Sequence, residues 1–421
     1  FGYSFKPWVG PPIATAEEIL SYMNEVIEEN DLGRHIRYNH HIDRASWSSE
    51  TNLWTIEAVD KVTGEAKRFT ANFLWMCQGY YRHSQGYTPE WKDMAKFKGQ
   101  IVHPQTWPKD LVTEGKKIVV IGSGATAATL IPNIAGKCEH VTMLQRSPTY
   151  FRTGRNAIEI AEELRRLQIK EEWIHEIVRR KILFEQDWFT RRCFSDPDAV
   201  KKELIGAVAA VLPQDFDVKT HFTPNYRPWR QRIAFVPDAD LFEAVKSGKA
   251  SVVTDHIDRF TETGIRLRSG AELPADIIVT ATGLVLQALG GMTLTVDGRP
   301  VIQQDCVGYK GMMLSGVPNL AMALGYTNAS WTLKVDLVSG YLCRLLRHMD
   351  RRGYRVCLPL APPPAEPREP FLDLQAGYVQ RALPELPKQG ARAPWRLYQN
   401  YLRDRFLLRR GPLEDEGVSF S

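Results

Sequence analysis

The chain has 421 residues, 43% hydrophobic and 24% charged, with a formal net charge of +5. That length holds two or three domains with cores of their own, and the composition excludes a disordered or fibrous chain. The small basic excess suits a phosphorylated small molecule better than nucleic acid, and no apolar run approaches the roughly 18 residues of a membrane-spanning helix.

The chain opens on Phe1 and an aromatic segment, FGYSFKPW, with no strand ahead of it. Ala16 to Asn30 predicts a helix, with Thr15 as N-cap and Ile19, Leu20, Met23, Val26 and Ile27 on one face. Three β-rich runs follow, IRYNHHIDRASW, LWTIEAVD and KRFTANFLWMCQG, parted by turn-rich SSETN and KVTGE. The same plan recurs over Ser251 to Gly283. HIDR stands at His41–Arg44 and again at His256–Arg259, each copy followed by a small meander and a buried strand ending in glycine (WMCQG at 75–79, VTATG at 279–283). Two copies of one plan, nucleotide turn, helix, meander and returning strand, are therefore expected. Only the second has its turn, so roughly 30 or more residues, one βαβ half, are expected upstream of Phe1.

That turn is the centre of the chain. Lys117 to Ile121 (KIVVI) reads as a buried parallel strand, and Gly122, Ser123, Gly124, Ala125, Thr126 and Ala127 give G-x-G-x-x-A at the head of an alanine-rich helix continuing through Ala128 and Thr129. Gly122 serves the tight turn and Gly124 the close approach to a pyrophosphate. Ala127 lets the helix pack close, and the helix N-terminus faces the phosphates. A glycine loop before a helix is a weak signal alone; the strand–turn–helix order gives it weight. The next strand, His140 to Leu144, ends in Gln145-Arg146-Ser147-Pro148. An acidic residue there would accept from a ribose 2′-hydroxyl; Arg146 with Ser147 suits a 2′-phosphate instead, which points to NADP(H).

Ala157 to Ala209 reads as mostly helical, charged and interleaved with aromatics, either a substrate-side insertion or a membrane-surface helix. His221 to Phe242 holds Arg227, Arg230 and Arg232 between proline turns, and Pro237-Asp238 is expected to open a helix. An arginine on such a connection can reach a cofactor cleft, but pattern alone does not choose among the three. PNLAMALGYTNASWT, from Pro318, predicts a strand, a glycine turn and a helix start with Ser330 or Thr332 as cap, and its N-terminal dipole suits the polar edge of a flavin. APPPAEPREP at 361–370 reads as an arm, and the remainder to Ser421 as a basic, turn-rich tail. Six cysteines without a C-x-x-C fit reduced thiols in a cytoplasmic protein and argue against a zinc site or dithiol centre.

Upstream of the turn stands Phe97-x-Gly99-x-x-x-His103-x-x-x-Trp107-Pro108. This pattern resembles the fingerprint of type I Baeyer–Villiger flavin monooxygenases, and the flanking motifs VVIGSGATA, VTMLQRSPTY, PADIIVTATG, YKGMMLSG, GYTNASWTLK and LPKQGARAPWRLYQNYLRD extend the resemblance over almost the whole chain, closest to the family's mycobacterial branch. The resemblance implies an α/β flavoprotein with two Rossmann-like dinucleotide-binding domains, for FAD and NADP, and a helical insertion, truncated at its N-terminus. The implied division is 1–110 for the FAD-binding part, 111–283 for the NADP-binding part with an insertion at about 157–210, 284–360 for the return to the FAD part, and 361–421 for the arm and tail. It implies FAD, NADPH and dioxygen as reactants, with a C4a-peroxyflavin inserting oxygen into ketones or oxidising the sulfur of thioethers and thioamides.

By the same resemblance Ser123 to Thr129, Arg146 and Ser147 bind NADP(H), Ile42 contacts the FAD adenine, and Arg232 is the active-site arginine. His103 and Trp107 would tune domain motion. No metal or nucleic acid is implied; a peripheral membrane contact at the inner face is compatible with it. The FAD glycine fingerprint and the active-site aspartate segment of the family are not in this sequence. Two other readings therefore stay open: an N-hydroxylating or ordinary flavin-containing monooxygenase, which usually carries Tyr where Trp107 stands, and an NADPH-binding chain without catalysis.

Overall fold

A computed structural model describes residues 2–421. Thr15 starts helix α1 (Ala16–Glu29) through a capping box, its hydroxyl accepting from the Glu18 amide while Glu18 accepts from the Thr15 amide. The inward face is narrower than expected: Tyr22 and Val26 are buried, whereas Leu20 and Met23 face solvent.

The first meander is β1 (His40–Ser48), β2 (Leu53–Asp60) and β3 (Ala66–Ala71), antiparallel throughout. Period-two alternation turns Ala45 and Trp47 of β1 and Trp54 and Ile56 of β2 into one core. The third β-rich run is two strands, because the chain leaves the meander at Asn72. Its second half, β4 (Leu74–Met76), pairs in parallel with β19 (Leu320–Met322).

Between these lies a parallel sheet of β5 (Gln100–Val102), β6 (Lys117–Ile121), β7 (His140–Gln145), β10 (Ala250–Thr254) and β14 (Ile277–Thr280), in the order β10-β7-β6-β14-β5. Both faces are covered, so its strands are apolar without alternation. Ile118 and Val120 of β6 meet α2 (Ala125–Ala135) and α7 (Asp240–Lys246), while Val119 and Ile121 meet the second meander, β11 (Ile257–Thr261), β12 (Gly264–Leu267) and β13 (Glu272–Pro274). The repeated HIDR is a repeated bulge. The β1–β2 ladder shifts register between Ile42 and Arg44, and the β11–β12 ladder between Ile257 and Arg259.

The excursion between β7 and β10 holds a parallel pair, β8 (Phe151–Gly154) and β9 (Ala234–Pro237), and the helices α3 (Glu159–Arg166), α4 (Glu171–Ser195), α5 (Pro197–Ala209) and α6 (Val218–Phe222). Helix α7 starts two residues later than expected, because Asp238 and Ala239 both take positive φ and the Asp238 carboxylate accepts from the Asn156 amide.

The chain then returns to the first sheet, where β15 (Thr293–Val296) pairs in parallel with β1 and β16 (Arg299–Pro300) extends the edge. The hairpin β17 (Gly308–Tyr309) and β18 (Met313–Leu314) precedes β19 and helix α8 (Trp331–Arg352). The stretch read as arm and tail is folded in. Strand β20 (Cys357–Pro359) pairs with β23 (Val418–Phe420), β21 (Arg368–Pro370) with β22 (Lys388–Gly390), and the helices α9 (Gly377–Ala382) and α10 (Tyr401–Arg410) intervene. Phe371, Leu372, Leu386, Trp395 and Leu397 are buried there, but prolines and charges part them, so no period betrays the core they join. The structure thus has the two-lobed α/β architecture expected.

Candidate functional site

Strand β6 runs into Gly122 at φ 131°, where any Cβ would collide with the Ala281 carbonyl oxygen at the end of the neighbouring strand. Glycine is required there twice over. A Cβ on Gly124 would instead meet no protein atom, and α2 begins at Gly124 with no side-chain cap. Its first-turn amides are therefore open beside vacant approach space, the arrangement that receives a pyrophosphate. Ala125, Thr126 and Thr129 are exposed on this first part of α2, while Ala127 and Ala128 are buried and bring the helix close to the sheet.

The turns after β6 and β7 are tied together. The Gly122 amide donates to Leu144 O at 2.8 Å, and Ser123 Oγ lies 3.0 Å from Thr149 Oγ1 and donates to Ser147 O at 3.4 Å. Arg146 and Ser147 stand exposed on that same carboxyl edge of the sheet. The residues present fit a dinucleotide carrying a 2′-phosphate.

The three arginines of the 221–242 connection separate clearly. The Arg227 guanidinium donates to Cys193 O at 3.2 Å and stacks 4.1 Å from the Phe194 ring, fastening the connection to α4. Arg230 is exposed, and its carbonyl accepts from the Gln375 amide at 3.3 Å. Arg232 keeps open surface, yet burial is the largest influence on its pKa, pulling it down. The Arg232 guanidinium stands among the phenols of Tyr378, Tyr80 and Tyr81. Together these outweigh burial and leave the pKa raised. That upward pull belongs to ionised phenols; burial pushes Tyr81 and Tyr378 up to about 12, so at neutral pH the guanidinium faces neutral hydroxyls. Among the described residues Arg232 has no carboxylate partner. Its positive charge is free for something else.

The tyrosines pack on one another and on α8. Tyr80 lies edge-on to Tyr81 at 4.6 Å and to Trp331 at 4.7 Å, and Tyr81 is 6.1 Å from Tyr378. The Gln287 amide donates to Tyr80 O at 2.8 Å, and Tyr81 forms an antiparallel bridge with Leu286. Sequence reasoning missed all three tyrosines. The signal was there: GYY follows WMCQG, expected as a buried strand, which instead ends as one at Met76 with Trp75 40% exposed, because only β19 pairs with it, and ligands of open α/β sheets gather at such carboxyl ends.

Trp331 also opens α8. Ser330 occupies the N-cap position but makes no capping bond; its hydroxyl lies 2.8 Å from that of Thr332. The expected cap is therefore not made, because the two hydroxyls satisfy each other. The open first turn of a 22-residue helix suits an electron-rich group. Ile42 stands 45% exposed at the β1 bulge, on a different sheet from the Gly122 turn. His103 is a clamp: its Nδ1 accepts from the Gln105 amide at 3.1 Å, which leaves Nε2–H to donate to Gly283 O at 3.1 Å. Its ring lies where a Cβ on Gly86 would be, so it ties two connections between the lobes together.

Comparison with known proteins agrees with this fold. A family profile described as flavin-binding monooxygenase-like (FMO-like) matches residues 10–157. The FAD-containing monooxygenase EthA of Mycobacterium tuberculosis (strain ATCC 25618 / H37Rv) is 48% identical over 100% of this chain and 86% of its own length. The probable FAD-binding monooxygenase AlmA of Acinetobacter baylyi is 42% identical over 100% of this chain and 84% of its own. Among solved structures, an oxidized steroid monooxygenase bound to NADP superimposes with a TM-score of 0.72 at 21% identity, covering 100% of this chain and 88% of that one. The open form of cyclohexanone monooxygenase gives 0.65 at 19% identity, covering 82% and 75%.

Proposed function

The chain belongs to the flavin-binding monooxygenases, near EthA and AlmA, and from that premise we propose that it uses NADPH, FAD and dioxygen to insert one oxygen atom into ketones or to oxidise the sulfur of thioethers and thioamides. The observation that carries this reading is Arg232, a guanidinium set among the neutral phenols of Tyr378, Tyr80 and Tyr81 with no carboxylate partner among the described residues. FAD, when bound, supplies the activation of dioxygen with electrons drawn from NADPH. The rest falls to the chain's own residues. The turn from Gly122 to Thr129 cradles the NADP(H) pyrophosphate, and Arg146 with Ser147 takes the 2′-phosphate. Ile42 would meet the FAD adenine, and the open first turn of α8 would hold the polar edge of the flavin. Arg232 holds the negative charge that gathers on oxygen during insertion.

We assign 1–110 and 284–360 to the FAD-binding part, with β5 reaching across to the second sheet, and 111–283 to the NADP-binding part with its insertion at about 157–210. Residues 361–421 close over the FAD side. The substrate is a small molecule. All six cysteines are free, which supports a reducing, cytoplasmic setting, and no helix among the described residues is long and apolar enough to cross a membrane.

The nucleotide assignment has a direct test. NADPH should be preferred to NADH, and Arg146→Ala should remove one charge-assisted phosphate contact, weakening NADPH by about 1.5–3 kcal/mol with little effect on NADH. Binding titrations of both nucleotides to both proteins check it. Equal affinities throughout would refute the role of Arg146.

A further inference from the structure

Asn400 caps α10 by accepting from the Arg403 amide at 2.9 Å, and the register this sets puts Asp404, Leu407 and Leu408 on one face of the helix. That face, together with Pro394 and Tyr398 of the segment before it, walls a cavity of about 240 Å³. The cavity shares no lining residue with the Gly122 turn or with the tyrosines around Arg232, and nothing in the proposed oxygen chemistry uses it.

Both cations of the wall are engaged. Lys310 Nζ lies 2.9 Å from Asp415 Oδ2 and donates to Pro412 O at 2.8 Å and to the Tyr341 hydroxyl at 3.3 Å, and Arg396 donates to Glu369. Glu416 pairs with Arg392. Asp404 differs. Its Oδ2 accepts from both Lys334 and Tyr326, but Oδ1 accepts from no described residue, although the side chain is only 4% exposed. Oδ1 is not sealed in either, so the surface it keeps opens on the cavity that Asp404 lines. A carboxylate paired with a lysine only accepts, and a nearly buried one short of a donor is completed by a donor from outside. Three carboxylates, Asp404, Asp415 and Glu416, stand in the wall against two cations, so a positively charged donor fits better than a negative group.

We propose that this cavity binds a small amphipathic primary amine as its ammonium, the head donating to Asp404 Oδ1 and the apolar body lying along Leu407, Leu408 and Pro394 beside the Tyr398 ring. The space exceeds the roughly 150 Å³ that takes up a benzene ring, so an aromatic ring on a short stem fits. The amine is a ligand and not the molecule oxidised beside Arg232, and the site stands or falls apart from the monooxygenase reading. Because Oδ2 of the same carboxylate holds Lys334 in the first turns of α8, the bound amine and the start of that helix share one anchor.

Titration calorimetry of the flavin-loaded full chain at neutral pH tests it with three probes of one shape: 2-phenylethylamine, 2-phenylethanol and phenylacetate. The amine should saturate a single site and bind roughly tenfold tighter than the alcohol, because a charged donor replaces a neutral one. Phenylacetate should not displace it. Leu407→Trp adds bulk to the wall from a half-buried position and should weaken the amine roughly tenfold or more, with NADPH affinity unchanged. Arg232→Ala should leave the amine's affinity as it is. The paired replacement Lys334→Met with Asp404→Leu deletes the accepting oxygen and should abolish binding; if that variant does not fold, Leu407→Trp and the order of the three probes decide. No saturable binding of the amine, equal affinity for amine and acid, binding that survives Leu407→Trp, or binding that is lost with Arg232→Ala overturns the site.

Discussion

Replacing Arg232 with alanine should lower oxygen insertion by roughly 100-fold or more while NADPH consumption continues, its reducing equivalents emerging as hydrogen peroxide. The expected size follows from what surrounds this guanidinium. Its neighbours Tyr378, Tyr80 and Tyr81 stay protonated at neutral pH and cannot replace a lost positive charge, although they can still donate hydrogen bonds. Nothing in the α2 turn or at Arg146 depends on Arg232, so the nucleotide site should survive the change. Arg230→Ala should retain most of the product yield, because that side chain is exposed and only its backbone is engaged. Measuring product and peroxide against NADPH consumed separates the two variants. If Arg232→Ala kept the wild-type coupling and Arg230→Ala lost it, the role proposed for Arg232 would belong to Arg230.

The largest effect on stability is expected deep beneath α8. Lys334 Nζ and Asp404 Oδ2 lie 2.8 Å apart, with side chains only 1% and 4% exposed, and the Tyr326 hydroxyl donates to the same oxygen at 2.8 Å. Burial pulls Lys334 down and Asp404 up in pKa, each toward its neutral form, and the contact between them opposes that pull. Removing one partner leaves the other charge unpaired in the core. Asp404→Ala or Lys334→Ala should therefore cost about 3–5 kcal/mol, seen as a melting temperature lower by about 3–6 °C. The double change Lys334→Met with Asp404→Leu should recover most of that loss, since a well-packed apolar pair can stand in for a buried ion pair. Thermal unfolding of the three variants decides it: a double variant no more stable than either single one would mean that Tyr326 and the pair act as one indispensable network. The pair joins α10 to the first turns of α8, so its loss should also loosen the start of that helix.

Much of this was legible in the sequence, for identifiable reasons. KIVVI, the glycine turn and the alanine-rich helix carry their conformation in local residues, and the structure adds only that Gly122 is also required by the Ala281 carbonyl. The HIDR repeat foretold two meanders, and the shared bulge shows why the tetrapeptide recurs: the same kink is needed at Ile42 and at Ile257. The failures are equally local in origin. Ser330 looked like a cap because serine before a helix usually is one, but a nearby hydroxyl competed for it. The stretch from 361 onward looked like a tail because its buried residues, Phe371 and Trp395 among them, come from strands and turns too short to show a period. The tyrosine ring was invisible for a different reason. Tyr80 and Tyr81 stand some 300 residues before Tyr378 in the chain, and only the return of the C-terminal segment over β4 brings them together.

The central claim is that this chain moves one atom of dioxygen into a ketone or sulfide at the expense of NADPH. The most direct measurement supplies isotopically heavy dioxygen to the flavin-loaded protein with NADPH and a panel of short aliphatic ketones and thioethers. The product ester or sulfoxide is predicted to carry one heavy oxygen atom, with one NADPH consumed for each product formed. Product whose new oxygen comes from water, or product formed without NADPH being consumed, would contradict the assignment.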